Sequence, residues 1–322
     1  MPRIEIDYES EGFAAGGSVS NGSRVLVTSW DELLWAALTV GRPNRQYVFK
    51  HGKSSMYEAL MRLSLVRMAL EQSGPTAYRL RRTTAARTLD PSEKGAVNYF
   101  LGLAICKLFA AKLLQAPWLL HLDLFRPRLN VVLTGRSRPD LVGELSAGGW
   151  LALECKGRVS APSTQDKIKA KEQAKRVTSV NGTPPSLCIG GVAYFRADVL
   201  RFYWRDPQPD LSPPRRPIEF NVDETVWRYY YQPILELIRA QPAVYHRMLS
   251  EPTLAPVDEL DIQVGILPRV LHFLEEANWS AARHFARESM EKPGHTGYQA
   301  DGIRVVAGST WLRPFEDEQA GL

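Results

Sequence analysis

The chain has 322 residues, of which 44% are hydrophobic and 23% are charged. These proportions match an ordinary folded protein and exclude a chain that stays disordered through high charge and scarce apolar residues. The net charge of +5 is mild. It permits a polyanionic partner without requiring one, so the placement of the charges has to decide.

The cysteines and the apolar segments predict a cytoplasmic protein. Cys106, Cys155 and Cys188 are widely spaced in apolar runs, which favours small buried side chains in a reducing compartment. No Cys-x-x-Cys pair is present, so we do not expect a structural zinc site. The N-terminus lacks the apolar core of a signal peptide. The most apolar helix, around Val97–Leu114, contains one asparagine and two lysines, so we expect no membrane span.

The first 75 residues predict a small α/β region. Alternating apolar residues at 3–8 predict a strand, and the Gly-, Ser- and Asn-rich residues 11–23 predict a loop. The elements expected next are a strand at Arg24–Thr28, a helix from Ser29 or Asp31 to Val40, a strand at Gln46–Lys50 and a helix from Ser54 or Ser55 to about Gln72. The region carries no motif that points to a chemical activity.

An arginine-rich segment follows at Tyr78–Arg87. It has no acidic residue and contains Arg79, Arg81, Arg82 and Arg87. A solvated linker and a phosphate-contacting arm explain this composition about equally well. Both interpretations stay open from the sequence.

Residues 89–195 predict a mixed α/β core. A helix begins with Asp90 as the candidate cap and Pro91 at the first position, and it runs to about Gln115. The elements expected after it are strands at Trp118–Phe125 and Asn130–Thr134, a hairpin that turns at Ser146–Gly149, a helix from Thr164 to about Val180 and a buried strand at Leu187–Phe195. The order is helix, strands, helix, strand.

The hairpin carries the residues that point to chemistry. Pro139 and Asp140 stand at the start of its first arm, and Glu154-Cys155-Lys156 stands near the end of the second. Side chains alternate along a strand, so Glu154 and Lys156 share one face and Cys155 lies on the other. With a turn at Ser146–Gly149, Asp140 falls opposite Cys155. A one-residue change of register would place it directly beside Glu154.

Pro139-Asp140 and Glu154-Cys155-Lys156 together resemble the PD-(D/E)XK motif of the restriction-endonuclease-like nuclease superfamily. The resemblance implies an αβββαβ core with a mixed central sheet at residues 76–205, to which an N-terminal α/β region at 1–75 and a mainly helical C-terminal region at 206–322 are added. It implies Asp140, Glu154 and Lys156 as catalytic residues.

Family helices before and after the core often contribute a further side chain, and the matching positions here are Glu93 and Gln173. The alternatives to a catalytic role are that Glu93 stabilises its own helix and that Gln173 is a solvated surface residue. Where one subgroup has a tyrosine, this chain has Val177, so the subgroup stays open.

These residue types suit the hydrolysis of a phosphodiester. Displacement at phosphorus builds negative charge on oxygen, and a hard divalent cation held by carboxylates neutralises that charge and activates water. We expect Mg²⁺ or Mn²⁺ bound by Asp140, Glu154 and the backbone carbonyl of Cys155. Lys156 would then hold the attacking water or stabilise the transition state. His121 and Asp123, on one face of a predicted strand, are candidates to border the site.

Two sets of basic residues surround the hairpin. Lys167, Lys171 and Lys175 are spaced four residues apart on the predicted helix and form one stripe. The second set borders the hairpin and consists of Arg136, Arg138 and Arg158. We expect both sets to contact the phosphates of a nucleic acid.

The sequence therefore predicts a metal-dependent nuclease, most simply a DNA endonuclease of a restriction or phage-defence type, with RNA as an alternative substrate. A catalytically silent nucleic-acid-binding or assembly module with the same fold is the alternative function. In the C-terminal region Tyr229, Tyr230 and Tyr231 cannot all face one core. One aromatic side chain would then be available for a partner protein or for a homodimer.

Overall fold

The computed structural model describes residues 3–40, 53–72, 78–124, 138–146, 148–206, 217–289 and 297–313. The strands in chain order are β1 Ile4–Glu11, β2 Gly22–Thr28, β3 Leu70–Gln72, β4 Leu80–Arg82, β5 Leu119–His121, β6 Leu141–Glu144, β7 Trp150–Arg158, β8 Val177–Val180, β9 Leu187–Arg196, β10 Val199–Arg205, β11 Ile218–Phe220, β12 Ala255–Val257, β13 Ile262–Ile266 and β14 Ile303–Ala307. The helices are α1 Trp30–Thr39, α2 Lys53–Ala69, α3 Thr84–Thr88, α4 Pro91–Leu114, α5 Thr164–Ala174, α6 Arg228–Arg239, α7 Pro242–Met248, α8 Pro268–Glu275 and α9 Trp279–Ser289.

Within these residues, a nine-stranded mixed sheet forms the centre of the fold. Its strands lie in the order β2-β1-β10-β9-β7-β6-β5, and β3 and β4 pair beside β10. β7 is parallel to β9 and β1 is parallel to β10, while the neighbouring hairpins are antiparallel. The expected α/β fold with a mixed central sheet is confirmed.

The N-terminal strands extend this central sheet. β1 lies beside β10, with Asp7 opposite Arg201 and Glu11 opposite Arg205, and β2 pairs with the other side of β1. Ser29 caps α1 through a capping box, as expected. The predicted boundary at residue 75 therefore does not separate two sheets, because β1 and β2 share the sheet that contains the hairpin.

α4 crosses one face of the central sheet as a core helix. Asp90 caps it by accepting two backbone N–H groups of the first turn, and Pro91 occupies the first position. Gly102 allows the helix to approach β7 closely, since a Cβ there would lie 2.8 Å from the backbone nitrogen of Gly157. Of the described helices, α4 alone is long and apolar enough to cross a membrane, and 72% of that stretch is buried inside the fold.

Two predicted helices end earlier in the structure, and two predicted strands lie outside the part described. α2 ends at Ala69, and Leu70–Gln72 forms strand β3. α5 ends at Ala174, and Val177–Val180 forms strand β8 instead of continuing the helix. The β-branched residues of this stretch favour a strand, and β11 supplies the partner. The strands expected at Gln46–Lys50 and Asn130–Thr134 lie outside the described residues.

The C-terminal region combines four helices with a small sheet among the described residues and buries all of its neighbouring tyrosines. Strands β12, β13 and β14 form a separate antiparallel sheet beside helices α6 to α9. Tyr229, Tyr230 and Tyr231 are 5%, 3% and 0% exposed. The expectation of a free aromatic side chain is wrong, because α6 is covered on more than one side and its tyrosines face different neighbours.

A buried polar cluster joins α4 to this C-terminal region. The Lys107 ammonium donates to the Pro117 carbonyl and, at 2.7 Å, to the Tyr230 hydroxyl. Asp301 accepts hydrogen bonds from the Tyr230 hydroxyl at 2.5 Å and the Trp35 indole at 2.8 Å. Because Lys107 and Asp301 are both fully buried, each depends on these partners for its stability in the core.

Candidate active site

The pairing of β6 with β7 places Asp140 directly across from Glu154. Leu141 lies opposite Leu153 and Glu144 opposite Trp150, so one further step pairs positions 140 and 154. The simpler register, with Asp140 opposite Cys155, is wrong, and the one-residue change of register is what the hairpin adopts. In this register the Leu145 N–H donates to the Gly149 carbonyl across the turn at 3.0 Å.

The backbone around Asp140 brings the two carboxyl groups as close as a sheet allows. The Asp140 carbonyl accepts a hydrogen bond from the Leu122 N–H at 2.8 Å, so its backbone groups face β5 and not β7. Asp140 and Glu154 therefore form a non-hydrogen-bonded pair, the type in which side chains are closest. The Cys155 N–H donates to the Asp140 carboxylate, Oδ2, at 2.9 Å and holds it at the end of β7.

Pro139 leaves the backbone carbonyl of Cys155 available at the same place. In an antiparallel pair, the N–H and C=O of one residue point to the same neighbouring strand, so the Cys155 carbonyl faces β6. The position opposite Cys155 is Pro139, which has no N–H to donate. The carbonyl is thus directed at the end of β6 where Asp140 stands, as the predicted ligand set requires.

The Cys155 thiol lies on the opposite face, so only its carbonyl could serve as a ligand. It is buried against Cys106 of α4, and burial raises its pKa well above the ordinary value. Glu154 and Lys156 point to the face that carries α5. That helix lies close to the sheet because the residue across from Glu154 is Gly190, where a Cβ would meet the backbone of Ala170 and Lys171.

Glu154 is a carboxylate with 1% of its surface exposed. Its Oε1 forms an ion pair with the Lys156 ammonium, and within the described part of the chain its Oε2 has no hydrogen-bond partner. Burial, followed by repulsion from Asp140, raises the pKa of Glu154 well above its usual range. Burial also raises the pKa of Asp140 to about 6, against the opposing effects of the Cys155 amide and Lys156.

These observations fit a divalent cation at the acid pair. Two carboxylates that repel each other, one of them with an orphaned buried oxygen, gain most from a positive charge placed between them. The described residues contain no group of three or more His, Cys, Asp or Glu side chains around one point. Mg²⁺ keeps several waters and needs only one or two carboxylates, so Asp140, Glu154 and the Cys155 carbonyl are a sufficient protein ligand set.

A second group of side chains lies beside Asp140 on the α4 side. His121 accepts a hydrogen bond at Nδ1 from the Asp123 N–H at 3.2 Å, and its Nε2 lies 3.4 Å from the Tyr99 hydroxyl. Burial lowers the pKa of His121 to about 4, so the ring is neutral and its proton is on Nε2. The ring therefore donates to Tyr99, and the Tyr99 hydroxyl proton is left to be donated elsewhere.

Tyr99 is the site residue that the sequence did not reveal. Burial, followed by the nearby Asp140 carboxylate, raises the pKa of its hydroxyl, which places Tyr99 in the electrostatic neighbourhood of the acid pair. Arg138 forms two hydrogen bonds with the Asp123 carboxylate, at 2.5 and 2.6 Å. Asp123 is close enough to Asp140 to raise its pKa, but β5 ends at His121, so His121 and Asp123 do not share a strand face as expected. Tyr99 itself gave no signal, because no local spacing connects position 99 with β5.

Among the described residues, neither Glu93 nor Gln173 forms a hydrogen bond or an ion pair with Asp140 or Glu154. Glu93 is exposed and completes the capping box of α4, where its carboxylate accepts from the Asp90 N–H at 3.1 Å. The helix-stabilising alternative is thus the role that the structure shows for Glu93. Gln173 is half-buried in the last turn of α5, on the helix beside the acid pair.

The predicted basic stripe is broken in its middle. Lys171 is 5% exposed, and its ammonium donates to the Cys188 carbonyl and, at 2.8 Å, to Asp206. Its predicted contact with phosphate is wrong in this arrangement, because α5 packs that position against β9. Lys167 lies 3.8 Å from the Tyr203 ring centroid, and Lys175 caps the end of α5.

The predicted arginines have different surroundings. Arg158 is exposed at the end of β7 and pairs with Asp166, and Arg138 is held by Asp123 as described above. Arg136 lies outside the described residues. The hairpin therefore keeps two arginines near it, of which Arg158 is the more accessible.

In comparisons with protein-family models, curated proteins and solved structures, the chain matches none of them. A functional assignment for this chain rests on its own side-chain geometry.

Proposed function

We propose that the chain is a divalent-metal-dependent nuclease that hydrolyses the phosphodiester bonds of DNA. The observation that carries the proposal is the buried pair of Asp140 and Glu154, with an orphaned carboxylate oxygen and a lysine beside it. Perturbed carboxylates that adjoin a cationic side chain are typical of catalytic sites. The restriction or phage-defence role and a cytoplasmic location belong to this proposal through the motif alone.

The order of elements supports the restriction-endonuclease-like core. Helix α4, strands β5, β6 and β7, helix α5 and strand β9 follow one another as α-β-β-β-α-β, with β8 outside the central sheet. Asp140 stands immediately before the second of these strands, and Glu154 and Lys156 stand on the third, in keeping with the PD-(D/E)XK motif. The finer fold assignment is part of the same proposal.

Each residue has a defined task in this proposal. Asp140, Glu154 and the Cys155 carbonyl hold Mg²⁺ or Mn²⁺, which when bound neutralises phosphate charge and activates water. Lys156 is half-buried beside Glu154, and its ammonium would stabilise the developing negative charge. Glu154 is held rigidly by burial, and Asp140 is oriented by the Cys155 N–H.

The test is a single-turnover digestion of plasmid, linear duplex and single-stranded DNA with Mg²⁺. We expect Asp140→Asn and Glu154→Gln each to abolish cleavage, because both remove a ligand charge. Glu172→Gln, an exposed acid on α5, is the matched control and should cleave like the wild type. Cleavage by Asp140→Asn at the wild-type rate on every substrate would contradict the proposal.

A catalytically silent nucleic-acid-binding module is the second candidate. It is favoured by one observation, the ion pair in which Lys156 already neutralises part of the Glu154 charge. Salt-dependent binding of DNA without any metal-dependent product, in all three substrate forms, would support this candidate over the nuclease.

A further inference from the structure

The sheet face that carries Glu154 and Lys156 continues past the start of α5 as an uncovered strip. Residues directly across from each other on neighbouring strands point to the same face. On this face, Arg158 of β7 lies across from Tyr194 of β9, which lies across from Arg201 of β10. One row further along, Arg196 lies across from Val199.

The arginine-rich segment before α4 joins the same face. Its β4 pairs with β10 so that Arg81 lies across from Val199, in the row of Arg196. The neighbouring Arg82 points to the other face, where its guanidinium lies 5.0 Å from the Phe195 ring centroid. The sequence left this segment open between a linker and a phosphate-contacting arm. The structure makes part of it a strand of the central sheet.

We name the strip the arginine row and define it by Arg158, Tyr194, Arg196 and Arg81. Arg158, Arg196 and Arg81 are exposed, and Tyr194 is half-buried between them. Among the residues that the structure describes, neither Arg81 nor Arg196 has an ion-pair partner. Burial raises the pKa of Tyr194, and Arg201 and Arg196 are close enough to oppose that rise.

Two features set the limits of the arginine row. α5 covers the sheet between it and Gly190, since Lys167 lies over Tyr203. On the other side, the acids of β1 form ion pairs, with Asp7 contacting Arg79 at 2.5 Å and Arg201 at 3.5 Å. The arginines of the row without an ion-pair partner among the described residues are thus Arg81 on β4 and Arg196 on β9, although Glu71 of β3 lies directly across from Arg81. Arg158, paired with Asp166, stands at the end of β7 two residues from Lys156.

We propose that the arginine row binds single-stranded nucleic acid that leads into the acid pair. Exposed arginines on a flat sheet, with an aromatic ring between them, match a strand whose phosphates pair with guanidinium groups and whose bases are free to stack. A duplex keeps its bases stacked on each other and makes no use of Tyr194. The route to the acid pair rests on the proposed function, whereas binding to the row itself does not.

The dimensions agree with a segment of several nucleotides. Arg158 stands four residues along β7 from Glu154. At about 3.3 Å per residue, this corresponds to roughly 13 Å along the strand, and the row adds the width of the sheet from β7 to β4. Bound strands on comparable surfaces occupy about 4 nucleotides or more.

The test measures binding without a divalent cation, so that no substrate is cleaved. The fluorescence anisotropy of a labelled single strand of about 20 nucleotides, and of the same sequence as a duplex, is followed in EDTA over a range of KCl concentrations. The variants are Arg81→Gln with Arg196→Gln, Tyr194→Ala and Tyr194→Phe. The matched control is Arg24→Gln, an exposed arginine of β2 on the opposite sheet face, paired across from Tyr8.

We expect the wild type to prefer the single strand. The double arginine variant should lower the slope of log affinity against log salt by about 1.4, because each lost phosphate contact removes about 0.7 for a single strand. Tyr194→Ala should weaken binding by about tenfold or more, and Tyr194→Phe should retain it, because stacking needs the ring and not the hydroxyl. Arg24→Gln should bind like the wild type.

A preference for duplex, an unchanged slope in the double variant or an equal loss in Arg24→Gln would each overturn the proposal. The nuclease proposal fails separately, through unchanged cleavage by Asp140→Asn. An unchanged binding slope together with loss of cleavage in Asp140→Asn overturns the arginine row alone. A reduced slope together with unchanged cleavage overturns the nuclease and leaves the arginine row standing.

Discussion

Glu154 has two neighbours of opposite charge, and they act on it in opposite directions. Asp140 raises its pKa by repulsion, and Lys156 lowers it by attraction, while burial exceeds both effects. A carboxylate in such surroundings is stable as an anion only while a cation stays close to it. In the structure that cation is the Lys156 ammonium.

Lys156→Ala tests the catalytic role of that ammonium. We expect single-turnover cleavage to slow by about a hundredfold or more, because the loss of one group that stabilises transition-state charge costs about 3 kcal/mol. Lys169→Ala, an exposed lysine on α5, is the control and should leave the rate unchanged. Equal rates for the two variants would remove Lys156 from the mechanism.

Tyr99→Phe tests the hydroxyl that His121 orients. We expect cleavage to slow by about fivefold, because one hydrogen bond between neutral groups contributes about 1 kcal/mol. His121→Gln keeps an N–H at the end of the side chain and should retain more activity than His121→Leu. Identical cleavage rates for His121→Gln and His121→Leu would show that the hydrogen bond from His121 to Tyr99 has no part in the reaction.

At the scale of elements, the site depends on the contact between α4 and β7. Gly157 stands between Lys156 and Arg158, and a Cβ on it would overlap the Asn98 carbonyl of α4. Gly102 makes the reciprocal close approach from the helix. Side chains at these two positions would push the helix away from the strand that carries Glu154.

Gly157→Ala should therefore lower the free energy of unfolding by about 3 kcal/mol or more, as overpacking against backbone does. Gly95→Ala, in the exposed first turns of α4 with open space around its Cα, should instead raise it by up to about 1 kcal/mol. Urea denaturation of the two variants measures both values. If Gly157→Ala lowers the free energy of unfolding only slightly, α4 and β7 can move apart at little cost in stability.

Local patterns predicted most elements but not the register of the hairpin. The cap at Ser29, the helix start at Asp90 and the apolar run of β9 all follow from short-range rules. The register depends on the turn, where Gly148 and Gly149 both have φ near +88° and Leu145 comes to pair with Gly149 instead of Trp150. A run of small residues does not show which of them take positive φ, so the sequence left two registers open.

At the scale of the whole molecule, long-range pairing joins regions that the sequence separates. The parallel pairing of β1 with β10 and the antiparallel pairing of β4 with β10 bring residues before position 85 onto the sheet of the candidate site. No periodicity in either segment indicates its partner. This is why the boundary expected at residue 75 does not divide the sheet, and why the role of Arg81 was not predicted.

The buried cluster of Lys107, Tyr230 and Asp301 makes stability depend on pH. Burial lowers the pKa of Lys107 to about 7, whereas the unfolded chain keeps the ordinary value near 10.5. Between these two values the unfolded state binds more protons, so the contribution of Lys107 to the free energy of unfolding rises with pH, by at most about 1.4 kcal/mol per pH unit. Below about pH 7 that contribution is at its lowest.

The measurement is the free energy of unfolding of the wild type minus that of Lys107→Met, at several values between neutral pH and about pH 9. Taking the difference removes the other groups that titrate in this range. We expect the difference to rise with pH. A difference that stays flat or falls would show that Lys107 keeps its proton in the folded state.

The central claim is that Asp140 and Glu154 hold one divalent cation between them. Its most direct test is a titration with Mn²⁺ followed by electron paramagnetic resonance, in which free Mn²⁺ is counted as protein is added. The wild type should bind about one Mn²⁺, and Asp140→Asn and Glu154→Gln should lose that binding, while Glu172→Gln keeps it. Equal binding of Mn²⁺ by the wild type and Glu154→Gln would contradict the claim.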